Sequence, residues 1–259
     1  MNKQQLQGLA SQKLLTDIGF VSYYMEHEDE LSKINIEDLG KMGFVTSQDV
    51  NSFIHPNFEN GGEFILQKDL HIVYPIIINK ETIIDLNGHN IINDYAFIDE
   101  SDNTSNSYVF WVKKGGKLTI KGEGFIKSTG CEYSIAIWAQ GGDVIIEGGS
   151  YYNEGEGSDL IYASAGGNVN ITNGNFHPCK KLEGVAGTLD KYSALNIKDT
   201  DRENSSINVS GGIFYNFDPA NNLAEGTNTN FVMNGYISNQ INENVWEVIK
   251  DDDSNSTEE

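Results

Sequence analysis

Three carboxylates are the weak candidates for acid–base chemistry on a glycosidic bond. Asp143 and Glu147 flank one alternating stretch, and Asp159 closes an acidic turn that also holds Glu154 and Glu156. Glycoside hydrolysis uses two carboxyl groups roughly 5–9.5 Å apart across a groove, one donating a proton and the other serving as base or nucleophile. Among 38 acidic residues one such pair arises by chance, so these three are candidates and the reading of the chain as no enzyme is preferred. The histidines add little. His89 lies in an Asn87-Gly88-His89 turn and reads as a structural corner, while His71 and His177 have no partner at metal-ligand spacing. The acidic turn at 154–159 lacks the alternating aspartates and central glycine of a calcium loop. No metal and no cofactor is expected.

The stronger lead is aromatic. Trp111, Trp138, Tyr151, Tyr152 and Tyr162 lie in or beside short runs of β-branched residues. A ring standing on the outer face of a strand offers an apolar surface with a polar tip, which suits the C–H face of a sugar. These five are the candidate glycan-binding residues. For Trp138 and Tyr151 the alternative is a place in the core.

The elements that would carry them must fold within 259 residues of formal charge -21, with 17 Lys+Arg against 38 Asp+Glu and a single arginine, Arg202. That balance leaves no basic stripe for nucleic acid, and an anionic membrane would repel it. No run of apolar residues is long enough to span a bilayer. The stretch after Met1 is too polar for a signal-peptide core, so synthesis in a cytoplasm without the usual export route is expected. Cys131 and Cys179 lack metal-ligand spacing and read as reduced thiols.

Composition divides the chain near residue 57. In residues 1–56, Leu6, Ala10, Leu14 and Ile18 recur every fourth position and form one apolar helical stripe. Asn35-Ile36-Glu37-Asp38 and Thr46-Ser47-Gln48-Asp49 resemble helix starts, the latter burying Val50, Phe53 and Ile54. These short helices cannot pack a core by themselves. They read as an anchor or oligomerisation segment, carried by Leu6, Leu14, Ile18, Phe44, Val50, Phe53 and Ile54.

Beyond Gly61 the period falls to two and a repeat appears: two apolar residues two apart, a glycine-bearing turn, then an aromatic or aliphatic residue. Its copies start at Ile84, Leu118, Val144, Val169 and Ile207, spaced 34, 26, 25 and 38 residues apart. Gly115-Gly116, Gly141-Gly142 and Gly166-Gly167 precede three of them. A unit of about 25 residues cannot bury its own apolar face, but stacked at about 4.8 Å such units bury a continuous column. The longer spacings imply surface insertions at Asp99–Ser107 and from Pro178 to about Arg202. An antiparallel β-sandwich competes, but has no reason to repeat this signature.

The stretch from Thr82 to His89 resembles the opening coil of right-handed parallel β-helix proteins of the pectate-lyase-like superfamily, after entry strands at Gly62–Leu66 and Leu70–Ile72. The run Gly212-Ile213-Phe214-Tyr215-Asn216-Phe217-Asp218-Pro219, with Asn230-Phe231-Val232 and Gly235-Tyr236, is similar to the closing coil of such proteins from Bacteroides-type (crAss-like) gut phages and their hosts. Leu39, Gly43-Phe44-Val45-Thr46 and Asp49-Val50 resemble linker helices of phage fibres, which often associate as trimers.

What the resemblance implies is a mainly β fold. Residues 57–249 would form a single-stranded right-handed parallel β-helix of about five to six coils, after the small α-helical segment 1–56 and before an acidic tail at 250–259. The implied role is a homotrimeric phage head fibre or tail fibre, with the head favoured. It would sit at the virion surface, docked on capsid or tail proteins through residues 1–56 and meeting host or mucus polysaccharide. A depolymerising tailspike, glycoside hydrolase or lyase, is the alternative; a free carbohydrate-binding module is disfavoured by the missing signal peptide. Lyase chemistry of the pectate-lyase type would need calcium and a basic residue, and the one arginine falls in an expected insertion. Fold alone does not fix function.

Overall fold

The structure, a computed structural model, describes residues 58–72, 75–93, 97–99, 104–128, 133–153, 159–179 and 193–251. The expected helical segment 1–56, with all seven of its anchor candidates, lies outside the described residues, as do Cys131, most of the acidic turn and all but two residues of the acidic tail.

The described chain is mainly β. Its strands are β1 (Gly62–Ile65), β2 (Leu70–Ile72), β3 (Ile76–Ile78), β4 (Glu81–Asp85), β5 (Ile91–Asn93), β6 (Phe97–Asp99), β7 (Thr104–Lys113), β8 (Lys117–Lys121) and β9 (Phe125–Ser128). They continue with β10 (Tyr133–Gln140), β11 (Asp143–Asn153), β12 (Ile161–Ser164), β13 (Asn168–His177), β14 (Leu195–Ile197), β15 (Ser206–Val209), β16 (Gly212–Tyr215), β17 (Tyr236–Asn242) and β18 (Val245–Lys250).

Parallel pairing sorts them into three ladders. The first runs β1–β4–β8–β11–β13–β15 and aligns Phe64, Ile84, Ile120, Ile146, Ile171 and Val209. The second runs β2–β5–β9, then through the later halves of β11 and β13 to β16, and aligns Leu70, Ile91, Ile126, Tyr151, Phe176 and Phe214. The third is β3–β7–β10–β12–β14, aligning Ile76, Phe110, Ile137, Ile161 and Leu195. Nearly all of these column residues are fully buried, in one continuous core. Each fully buried Ile, Val or Phe contributes about 1.5–3 kcal/mol, and the parallel ladders with apolar inward rows keep that contribution repeating.

The glycine pairs mark the corner leading from the third ladder back to the first. The leading glycine takes a left-handed backbone, with φ of 87° at Gly115, 76° at Gly141 and 87° at Gly166. The second has no room for a side chain: a Cβ on Gly167 would lie 2.1 Å from the Ala139 carbonyl oxygen, and one on Gly116 2.3 Å from that of Ile78. One glycine makes the turn and the other lets the neighbouring rung approach.

At the corner from the second ladder to the third, Asn93, Ser128 and Asn153 stand in register and are buried. Asn93 Nδ2 donates to the Tyr108 carbonyl at 2.7 Å and Asn153 Nδ2 to that of Ser134 at 3.0 Å, while Ser128 and Ser134 share a hydroxyl contact of 2.6 Å. The two asparagines thus tie the second ladder to backbone carbonyls of the third, and the serines join hydroxyl to hydroxyl across the same corner.

Several expectations are corrected. In the repeat, Ile84 aligns with Ile120 and not Leu118, and Ile126 rather than Phe125 points inward. The cause is corner length: seven positions separate Ile84 from Ile91, six separate Ile120 from Ile126, and five separate Ile146 from Tyr151. The insertion expected at 99–107 contributes an antiparallel pair, β6 with β7. The one expected between Pro178 and Arg202 contains strand β14. At the C-terminal end, β18 pairs antiparallel with β16 and β17 antiparallel with β18, so a hairpin closes the parallel run.

Candidate functional site

Residues two apart on a strand share a face, and parallel register carries each face along the ladder. On the outer face of the third ladder this aligns Ile77, Trp111, Trp138, Tyr162 and Asn196. Three of the five sequence candidates therefore form one row. The indoles of Trp111 and Trp138 stack at 5.0 Å with planes 4° apart, and Tyr162 follows at 6.2 Å, tilted by 47°. Tyr108 packs edge-on against both indoles. Each indole N–H is held one strand further along: Trp111 donates to Gln140 Oε1 at 3.0 Å, and Trp138 to Ser164 Oγ at 2.9 Å. The Lys113 ammonium lies 3.8 Å from the centre of the Trp111 ring.

This packing decides which ring faces are free. Trp138 has rings on both sides, and Trp111 is covered by Trp138 and Lys113. Tyr162 ends the row, with an amide, Asn196, as its register neighbour on the far side.

Around that end several charged groups converge. The Asp159 carboxylate accepts from Ser193 N at 3.1 Å and from Asn196 Nδ2 at 2.7 Å. Burial pushes its pKa up to about 7; the two hydrogen bonds pull the other way and nearby Glu225 adds to the rise. Glu225 accepts from Ile197 N and forms an ion pair with Arg202, which also contacts Asp199. Asp201 accepts from Ala165 N at 2.7 Å, a bond that holds its carboxyl below the usual range. Burial first, and then the charges of Asp159, Asp201, Asp199 and Glu225, push the Tyr162 hydroxyl up to about 12. It is therefore a firmly protonated donor beside carboxylate acceptors.

The remaining candidates separate. Tyr151 is fully buried, stacks on Phe176 at 5.1 Å and donates its hydroxyl to the Gly148 carbonyl at 2.9 Å. It is a core residue and cannot meet a ligand; burial pushes its hydroxyl pKa up. Tyr152, its neighbour, points outward. It stacks on His177 at 4.5 Å, and His177 stacks on Tyr215 at 3.9 Å, with Phe125 edge-on to Tyr152. This second outer row was missed from sequence apart from Tyr152, although the 25-residue interval from Tyr152 to His177 is the repeat itself. Burial lowers the His177 pKa, so the ring is neutral at pH 7.

Asp143 and Glu147 are the other two carboxylate candidates. Both stand exposed on β11, four positions apart. Asp143 accepts instead from Asn168 Nδ2 at 3.1 Å, and Asn168 accepts from Ser206 at 3.0 Å, as rungs of a polar row. His89 stands at the corner after Asn87-Gly88, 3.4 Å from Asp69. Among the described residues no three His, Cys, Asp or Glu are grouped to hold a metal.

No family model, no curated protein and no solved structure matches this chain. What the site can do is therefore read from its own chemistry. A row of aromatic edges ends in a tyrosine ring bordered by an amide and carboxylates. Such a surface presents an apolar ring beside hydrogen-bond donors and acceptors.

Proposed function

We propose that this chain is a non-enzymatic attachment protein of a phage particle, a fibre or surface decoration that meets host-surface or mucosal glycans. In this reading residues 57–249 wind as a right-handed parallel β-helix of about five to six coils. Residues 1–56 dock it on capsid or tail proteins and assemble it as a homotrimer, and the head of the particle is favoured over the tail. The N-to-C order of all three parallel ladders supports the coil. The observation that carries glycan attachment is the outward row Trp111–Trp138–Tyr162 ending against Asn196 and Asp159.

The test is calorimetric titration of the full chain with neutral oligosaccharides prepared from host capsule or mucin. Binding that falls at least tenfold in Tyr162→Ala and is unchanged in Asp143→Asn supports the reading. Equal binding in wild type and Tyr162→Ala contradicts it. Light-scattering mass tests the trimer, and loss of particle incorporation on deleting residues 1–56 tests the dock.

A depolymerase is the second reading, favoured by one observation: Asp159, near pKa 7, holds a proton close to neutrality as a general acid must. Its oxygens already accept two hydrogen bonds, from Ser193 and Asn196, which suits a positioning role better. Release of reducing ends from polysaccharide, lost in Asp159→Asn or Glu147→Gln, would replace attachment with cleavage.

A further inference from the structure

The C-terminal hairpin carries a strand edge without a partner among the described residues. β17 pairs with β18 on one side only and ends the sheet. Asp251 N donates to the Gly235 carbonyl at 2.9 Å, which directs Gly235 toward β18. Because the N–H and C=O of an antiparallel strand point the same way and alternate by residue, Ile237 and Asn239 also face β18. Tyr236, Ser238 and Gln240 direct their backbone groups outward. The Tyr236 N–H accordingly turns to the Met233 carbonyl, at 3.1 Å.

Edges of this kind are commonly protected by lysine or proline, and β17 has neither. No charged residue falls between Glu225 and Glu243. The apolar side chains agree: five of the seven large ones that stand exposed among the described residues are Leu223, Met233, Ile237, Ile241 and Ile249, all at this end. Ile237 and Ile249 are direct cross-strand neighbours. In a chain of charge -21, two copies that meet at β17 bring no charged residue of the strand itself against another.

We infer that β17 is a homotypic contact, in which two copies of this chain pair β17 against β17 antiparallel about Asn239. The segment Ile237-Ser238-Asn239-Gln240-Ile241 is nearly symmetric under reversal. With Asn239 on the two-fold axis, Ser238 of each copy lies opposite Gln240 of the other, and both have outward-facing backbone groups. Those two positions form the hydrogen-bonded pairs of the new ladder. Ile237 lies opposite Ile241 at the closely approaching pairs on either side. The bulge between Gln240 and Asn242 ends the regular edge, so the contact is short and closes on two copies instead of propagating. It is independent of any association through residues 1–56: it doubles whatever unit they set.

Sedimentation equilibrium of the full chain tests this with two variants. Gln240→Pro removes an outward N–H that β18 does not use, and Ile237→Lys places a charge on an exposed side chain. Both are expected to halve the mass at concentrations where wild type is paired, with circular dichroism and Tm unchanged. Asn239→Pro removes an N–H directed at β18 and is expected to lower Tm. A wild-type mass that neither variant changes overturns the contact. Destabilisation by Gln240→Pro equal to that of Asn239→Pro overturns the assignment of the free edge.

Discussion

Trp138 lies flat on Trp111, ring centroids 5.0 Å and planes 4° apart, although 27 positions separate them in the chain. Parallel register alone brings them together. Such a pair is worth about 0.5–1.5 kcal/mol beyond its buried area, and it occupies ring faces that a ligand would otherwise use. The row therefore offers edges along its length and a ring bordered by polar groups at Tyr162.

Ligand binding should be unequal along that row. Tyr162→Ala is expected to weaken oligosaccharide binding at least tenfold, and Trp111→Ala, whose ring is covered by Trp138 and Lys113, by less than half that factor. Calorimetric titration of both variants decides. Equal losses would mean that the ring edges, and not the terminal ring, hold the ligand.

Asp159 makes stability depend on pH. Its pKa rises from 3.8 to about 7 on folding, so the folded chain binds the proton more tightly across that window. Its favourable contribution is complete below 3.8 and is lost as pH rises through about 7. Between pH 5 and pH 8 wild type should lose on the order of 1–3 kcal/mol relative to Asp159→Asn. Urea unfolding at both pH values measures this; parallel pH profiles would refute it.

His177 acts with the opposite sign. Its folded pKa is depressed below 6.5 by burial, so the stability it contributes is present above 6.5 and is lost as pH falls through the folded value. His177→Phe keeps a ring between Tyr152 and Tyr215 and removes the proton site. The drop in Tm from pH 7.5 to pH 5.5 should be smaller in this variant than in wild type, as thermal melts at the two pH values would show.

The corner amides should be costly to remove. Asn153 donates to the Ser134 carbonyl and accepts from Cys179 N at 2.7 Å. Asn153→Ala removes both of these hydrogen bonds from a buried corner and should destabilise by about 2–4 kcal/mol. Asn170→Ala, at an exposed position on β13, should cost less than about 0.5 kcal/mol. Denaturant midpoints compare the two.

Much of this architecture is legible in the sequence, because two-apart apolar residues recur along the ladders and glycine pairs mark three of the corners that lead back to the first ladder. Register is less legible. Ile84 was matchable to Leu118 or Ile120 by pattern alone, and only the length of the intervening corner decides. Tyr151 and Tyr152 show the same limit: adjacent residues point to opposite faces, so one is core and the other surface. The column of Tyr151 with Phe176 and Phe214 settles which. Asn196 and Glu225 come to Tyr162 through strand pairing and an ion pair across distant segments, and no local spacing announces them.

The hairpin at the C-terminal end has a consequence for how the chain is made. In the parallel ladders nearly every strand pairs with one already synthesised, so structure can accumulate rung by rung as the chain leaves the ribosome. The reversal at β18 comes last. Until residues 236–250 emerge, the newest rung presents the open edge of β16, to which another nascent chain could add. Translation arrested ahead of this hairpin therefore yields a chain with its core largely laid down and its growing end still adhesive.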